Sequence, residues 1–422
     1  MNINTEPLIF AGVCDWAGIV RGKAFPEADL EIRLKKGVGL THSNIMMSCF
    51  GPILTTPFGT VGDLIIRPDP KARVEVAFND GTAERFYLGD ITNTDGSAWE
   101  FCPRTFLARA VEALGEHGLR VIASFEQEFV LTSVEDRPGA TYALDAYRRQ
   151  GQFGEALIAA LRAAGFKPDS FLPEYGPRQY EATTAPEDGV RSADAAVVLR
   201  EMARAVAWRL GQRVIFAPML TPTGIGNGTH IHLSLWEGAE PVTHDPITPL
   251  GLSERAAQFF AGILVHLSAI AAFTAPSVAS YYRLTPNRWA PVYANIGRQD
   301  RGAALRVSPV LQTSPEDPAR QFNVEYRVAD ASNCPYLALG ALVWAGVDGL
   351  MRKLKLPAPE TAAPQLPRSL EQALAALERD DVAATWWSKD AMAAYLAFKH
   401  AEIKSLGEAD PAEICARYAA VY

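Results

Sequence analysis

Three strand-like segments, far apart in the chain, each carry two polar or charged residues two positions apart. They are Glu126 and Glu128 in VIASFEQEFVL (121–131), His230 and His232 in GNGTHIHLSLW (226–236), and Glu325 and Arg327 in FNVEYRVAD (322–330). Strand residues two apart leave the same face. Each segment therefore offers an apolar face to a core and a paired polar face to something else. One such pair reads equally well as the wet side of an edge strand. Three of them constrain more, because Glu126 and Glu128 need counter-ions, and neighbouring strands in one sheet supply them as the walls of a charged cleft. A further cluster lies in LPEYGPRQYEAT (172–183), where Glu174 and Glu181 flank Gly176 and Pro177.

Carboxylates with one or two imidazoles suit hard divalent cations, magnesium or manganese, better than zinc, which favours more His or Cys. That ligand set commonly serves phosphate chemistry. The run GRQDRGAALRV (297–307) adds Arg298, Arg301 and Arg306, which either neutralise phosphoryl charge or simply face solvent.

With 422 residues the chain is long enough for two domains. Residues 1–100 alternate short apolar runs with turn signals and read as a small strand-rich domain. Residues 101–422 alternate strands with helical periods, the helices expected at 103–117, 151–165, 192–212, 253–272, 336–354 and 388–406. LPAPETAAPQLP (356–367) reads as a surface connector. The net charge of -8 without a basic block argues against nucleic acid. No secretory leader pattern and no long uncharged apolar stretch is visible, so a cytoplasmic protein without a membrane partner is expected. Five widely spaced cysteines, Cys14, Cys49, Cys102, Cys334 and Cys415, read mostly as buried reduced thiols.

In order along the chain, FEQEF, PEYGPRQYEAT, GNGTHIHLSL, YYRLTPNRWAPV, RGAALRV and VEYRVADASNCPYLALGALVWAGVDGL resemble the motifs of the glutamine synthetase family, over about residues 8–350. The resemblance implies an α+β fold: an N-terminal β-grasp domain, then a catalytic domain with an antiparallel sheet and surrounding helices. It also implies homo-oligomeric stacked rings, a dodecamer, with active sites between subunits. ATP would be the co-substrate, and two or three Mg2+ or Mn2+ ions would occupy each site. By the same resemblance Glu128, Glu174 and Glu181 hold one metal, and Glu126, His230 and Glu325 hold a second. Arg283 and Arg327, with Gly226 and His230, hold glutamate. Arg301 and Arg306 face phosphate, and Ser234 and His232 fall where the nucleotide is gripped. Arg301, Arg283 and Arg327 carry the catalytic roles.

The sequence departs from the family at the ammonium site. Ammonia-using members carry a flap Glu where this chain reads Trp289 in NRWAP, and an N-terminal Asp where MMSCFGPILTTPFG has no carboxylate, Cys49 or Phe50 standing there instead. An alkylammonium of pKa roughly 10.4 costs about 4 to 5 kcal/mol to deprotonate at pH 7, whereas an aromatic amine is already neutral. An apolar pocket also favours a ring or alkyl chain, at about 25 cal/mol per Å² buried. The expectation is a γ-glutamyl amide ligase for an apolar amine, aniline-type first and alkylamine next. Its rivals are an ordinary glutamine synthetase and a catalytically silent, assembly-forming relative. Asn323 replaces an arginine expected near the nucleotide phosphates, and Ile225 replaces an Asn beside the glutamate site.

Overall fold

Strand-forming runs near the N-terminus pair into a five-stranded sheet: β1 (Leu8–Cys14), β2 (Val20–Pro26), β3 (Val38–Thr41), β4 (Asp63–Ala77) and β5 (Ala83–Asn93), in the order β2-β1-β5-β4-β3. β1 and β5 run parallel at the centre, the other pairs are antiparallel, and a short helix, Leu30–Lys36, connects β2 to β3. This is the expected β-grasp unit. The computed structural model describes residues 5–52, 57–59, 61–137, 139–311, 313–358 and 361–422.

The second sheet contains β6 (Arg120–Leu131), β7 (Pro168–Pro173), β8 (Gln179–Thr184), β9 (Glu187–Asp188), β10 (Val214–Ile215), β11 (Thr229–Glu237), β12 (Glu240–Pro241), β13 (Ile296–Arg298), β14 (Leu305–Val307) and β15 (Val324–Tyr326). Its main path is β13-β14-β15-β11-β6-β8-β7. The pairs are antiparallel, as expected, with one parallel pair, β13 with β14, at the edge. The polar i, i+2 pairs lie on β6, β11 and at the end of β15, three adjacent strands.

The other face of this sheet is apolar. Phe125, Phe129, Ile231, Leu233, Val324 and Tyr326 are buried there. Helix Gly189–Arg209 covers it, and Gln127 donates to Ala196 O at 2.9 Å while Arg200 donates to Gln127 Oε1 at 2.5 Å. The charged face is thus left to one side of a rigid layer.

Helices Pro103–Glu116, Gly151–Ala163, Pro335–Met351 and Lys389–Leu406 form near their expected positions. The expected helix 253–272 is two, Glu254–Val265 and Leu267–Thr274, bent by 75° at His266. The break follows from packing. The His266 ring is held between Asp380, 2.6 Å from Nδ1, and Asp348, 2.9 Å from Nε2, and the first helix approaches its neighbour so closely that a Cβ on Gly262 would fall 2.1 Å from Ala345 O. Among the helices absent from the expectation, Leu370–Arg379 and Pro411–Val421 are capped by Ser369 and Asp410. The connector at 356–367 is not free along its length: Ala294 donates to Pro364 O and Leu366 to Val292 O, with Pro359 and Glu360 outside the described residues. No single helix among the described residues is long and apolar enough to cross a membrane. All five cysteines are buried and free, as expected.

Arg104 ties the first sheet to the helix that covers the second. It donates to Asp194 through Nε at 3.0 Å, to Asp90 at 3.0 Å and to Asp69 at 2.7 Å. At the far end of the chain Tyr422 donates to Ala17 O at 2.9 Å, so the last helix packs back on the N-terminal unit.

Candidate active site

Strand register sets the site's rows. Arg306 on β14 stands opposite Glu325 on β15, Glu325 opposite His232 on β11, and His232 opposite Ser124 on β6. In the next row His230 stands opposite Glu126, and Glu126 opposite Thr183 on β8. One row further, Glu128 faces Glu181. Alternation puts all of these on one face of five adjacent strands, and Ser234, two beyond His232, shares it.

Within the rows His230 Nδ1 lies 3.3 Å from Glu126 and 3.5 Å from Glu325. His232 Nε2 lies 3.0 Å from Glu126, and its Nδ1 is 2.8 Å from Asn323 Oδ1. Arg306 donates to Glu325 at 2.6 Å, and Arg327 donates to the other oxygen of the same carboxylate. Two sets of donor atoms lie within 4.8 Å of one another: Glu126 with His232 and Glu325, and Glu126 with Glu181 and His230. His232, expected beside the nucleotide, thus stands in a set of possible metal donors, because β11 puts it directly opposite Glu325. Glu128 and Glu174 stand beside these sets. Glu128 accepts from Gly228 N at 2.7 Å and from Gln179 at 3.2 Å, and Glu174 from Tyr175 N at 2.9 Å and Tyr142 Oη at 3.2 Å.

The electrostatics follow from that crowding. Burial, then the charges of Glu126, Glu128, Glu174 and Glu325, push the Glu181 carboxyl well above its usual range. Burial and Glu128 raise Glu174 as well. Burial opposes ionisation of Glu126 too, but His232 and His230 outweigh it and hold it well below the carboxylate range. For His232 burial disfavours the charged ring, yet Glu126 and Glu325 bring it up to about 9. A divalent cation relieves this concentration of buried negative charge, and the donors, carboxylate oxygens with imidazole nitrogens, fit a hard ion such as Mg2+ or Mn2+.

Arg283 is buried, with Nη2 donating to Val328 O and to Ala329 O at 2.8 Å, and its Nε is without a partner among the described residues. Gly226 lies against it: a Cβ there would be 2.7 Å from Arg283 Cγ. Arg301 is exposed, and its carbonyl accepts from Arg327 Nε at 3.1 Å; Arg298 is exposed also. Ser234 accepts from Trp236 Nε1 at 3.0 Å. Trp289 is 74% exposed, on a turn whose carbonyl accepts from Arg327 Nη2 at 3.3 Å. Cys49 and Phe50 are placed elsewhere within this chain, against the C-terminal helix. The Cys49 thiol is buried and pushed up by that burial and by Glu402, while the Phe50 ring lies 5.0 Å from Tyr418. Residues 53–56 and 60 of that stretch are outside the described residues.

Several contributors escaped the sequence reading. Gln179 is buried and donates to Glu128, Gly226 O and Asn227 Oδ1, fixing the floor of the site. Gly228 admits the backbone so closely that a Cβ would meet His230 Nε2 at 3.1 Å. The exposed Tyr142 caps Glu174 from a loop. The Gly-x-Gly of residues 226–228, one residue short of His230, was the visible signal for Gly228; nothing local marked Gln179.

Family models described as glutamine synthetase N-terminal domain and glutamine synthetase, catalytic domain match residues 3–99 and 100–416. The chain belongs to the glutamine synthetase family, and it is an ATP-dependent carbon–nitrogen ligase of that family, whose members use ATP and divalent metal ions. It is 33% identical over 393 residues to the gamma-glutamylpolyamine synthetase GlnA3 of Streptomyces coelicolor, covering 87% of this chain and 83% of that protein. It is 30% identical over 390 residues to the glutamine synthetase of Pyrococcus horikoshii, covering 87% and 83%. A solved structure described as a novel glutamine synthase homolog superposes with a TM-score of 0.95 at 39% identity over 100% of both chains. An ADP complex of GmaS shares the fold, with a TM-score of 0.81 at 24% identity over 94% and 93%.

Proposed function

We propose that this ligase joins the γ-carboxylate of glutamate to an apolar amine, aniline-type or alkylamine, giving a γ-glutamyl amide, ADP and phosphate. Trp289 carries the reading. At the turn where ammonia-using members place a carboxylate, an exposed indole stands instead, and its backbone is tied to Arg327. The polyamine-directed name of one relative supports the wider class, amide formation with an organic amine.

In this reading Arg283 and Arg327 hold the glutamate carboxylates, beside Gly226 and His230. Arg301 and Arg306 face the phosphates, with Ser234 and His232 toward the nucleotide. Glu126, Glu128, Glu174, Glu181, His230 and Glu325 hold two or three Mg2+ or Mn2+ ions. Bound metal would neutralise phosphoryl charge as a Lewis acid. A γ-carboxylate oxygen attacks the γ-phosphorus and ADP leaves; the amine nitrogen then attacks the acyl carbon, phosphate leaves, and the nitrogen gives up a proton. Trp289 shields the reacting carbon and packs on the amine's apolar body. Phe50, half-buried in its own chain, belongs to this wall only if a neighbouring copy presents it, consistent with the stacked-ring assembly that we also propose, whereas Cys49, buried within its own chain, backs that segment. Domains would divide at 1–100 and 101–422.

The test is Trp289→Glu, assayed for phosphate release with glutamate, ATP and either ammonia or aniline. The reading expects the ratio of kcat/KM for ammonia to that for aniline to rise at least about tenfold, roughly 1.4 kcal/mol of selectivity. An unchanged ratio in a folded variant would remove Trp289 from the amine site.

A further inference from the structure

The turn carrying Trp289 is held in an unfavourable backbone conformation. Asn287 and Trp289 have φ of 65° and 54°. Asn tolerates the left-handed region, whereas a bulky aromatic residue occupies it only when its surroundings over-determine it. The indole itself is too exposed to supply that restraint. Arg288, between them, does. One guanidinium nitrogen donates to Gly224 O and the other to Pro222 O at 3.0 Å, so the planar fork spans two carbonyls of a second loop.

That second loop runs directly into Ile225, which is 41% exposed, and Gly226, which touches Arg283. Ile225 in turn lies against Gly176, where a Cβ would meet it at 3.2 Å, next to the Tyr175 amide that donates to Glu174. On its other side the turn is pinned by Arg327, through Trp289 O, and Arg327 also donates to Arg301 O and to Glu325. The two loops and the charged floor are therefore linked through Arg288 on one side and Arg327 on the other. Arg327 touches the charged cluster; Arg288 does not.

We infer that Arg288 is a positioning residue that binds the turn 287–289 to the loop 222–226, so that Trp289 and Ile225 form one preorganised apolar wall for the amine. This inference rests on the reading of Trp289 as part of the amine site. Its consequence is specific: loosening Arg288 lets the turn relax to an ordinary backbone conformation and swings the indole away, which weakens amine capture without touching the groups that act on phosphate.

The experiment measures KM for an apolar amine and kcat for Arg288→Ala, Arg288→Lys, Trp289→Ala and the double variant Arg288→Ala/Trp289→Ala, with ammonia as the comparison substrate. Arg288→Ala is expected to raise amine KM about five- to tenfold with kcat within about threefold. Arg288→Lys, which keeps the charge but replaces the planar fork with a single nitrogen on a flexible stem, recovers part of that. The double variant loses less than the sum of the two single losses, since the two residues act through one wall. If Arg288→Ala does not fold, Arg288→Gln, which keeps one donor, carries the same test. An equal loss of kcat for amine and ammonia with amine KM unchanged would reduce Arg288 to a structural bond and overturn the inference. Additive effects in the double variant would overturn it as well. Should Trp289→Ala itself leave amine KM unchanged, the amine-site reading fails first, and is seen to fail independently of Arg288.

Discussion

Gly226→Ala tests the close approach on which the substrate side of the site depends. A Cβ at this position would stand 2.7 Å from Arg283 Cγ, 2.8 Å from Met219 Sδ and 2.8 Å from Pro218 O. The carbonyl cannot yield, because it accepts from Asn227 N at 3.0 Å within the bridge between Met219 and Gly226. Arg283 must give way instead. A carbon–carbon contact is comfortable at about 3.5 Å, so its stem must retreat by about 0.8 Å, pulling Nη2 against Val328 O and Ala329 O. Misplacing a substrate-holding group by about 1 Å costs on the order of a hundredfold in rate. The expected loss in kcat/KM for glutamate is therefore about ten- to a hundredfold, or about 1.4 to 2.7 kcal/mol, with about 1 to 3 kcal/mol of stability lost to overpacking. Steady-state phosphate release with glutamate as the varied substrate reads the first, and denaturant unfolding the second. Gly39→Ala on β3 is the control: nothing among the described residues lies within 4 Å of its Cβ, so it should be neutral or about 0.4 to 1 kcal/mol stabilising. A Gly226→Ala enzyme within twofold of the parent would refute the argument.

Arg104→Ala leaves Asp69, Asp90 and Asp194 without their shared cation, and is expected to cost about 3 kcal/mol or more and to expose the first sheet to protease before the second; limited proteolysis with denaturant melts checks this. His266 gives a pH dependence. Both ring nitrogens face carboxylate oxygens, which when ionised only accept, so the charged ring alone can donate to both Asp380 and Asp348, the latter also paired with Arg352. Burial works against that charge, but the two aspartates raise its pKa, so its stabilisation is complete below the ordinary value of about 6.5 and is lost as pH rises through the raised value. Asp380, lowered despite its burial by His266, contributes above its own ordinary value and loses that as pH falls. The Tm advantage of the parent over His266→Gln should therefore be larger at pH 6 than at pH 9; an advantage independent of pH would contradict the assignment.

How far the sequence could be read depended on how local each signal was. Strand alternation is local, and so the polar faces around Glu126, His230 and Glu325 were legible, with the family resemblance ordering them. The register that sets His232 opposite Glu325 is a pairing between residues 93 positions apart, and no single strand reports it. Gln179 is missed for the same reason: its three acceptors belong to β6 and to the loop before β11. The break at His266 reverses a local signal, since the apolar period runs straight through it and only packing against Asp348 and Asp380 bends the chain. The helices Leu370–Arg379 and Pro411–Val421 did carry local signals, Ser369 with Gln372 and Asp410 with Pro411, that periodicity alone passed over. Arg288 looks like a surface charge until the fold brings Pro222 and Gly224 to it.

The central claim is that the acceptor of the γ-glutamyl group is an apolar amine. Phosphate release with glutamate, ATP and Mg2+ over ammonia, methylamine, ethylamine, isopropylamine, putrescine, ethanolamine and aniline, with products identified by mass, tests it most directly. The account predicts strong turnover to a γ-glutamyl amide with aniline or a short alkylamine and little with ammonia. Preference for ammonia, with glutamine as product, would contradict it and make this chain a glutamine synthetase in activity as well as in family.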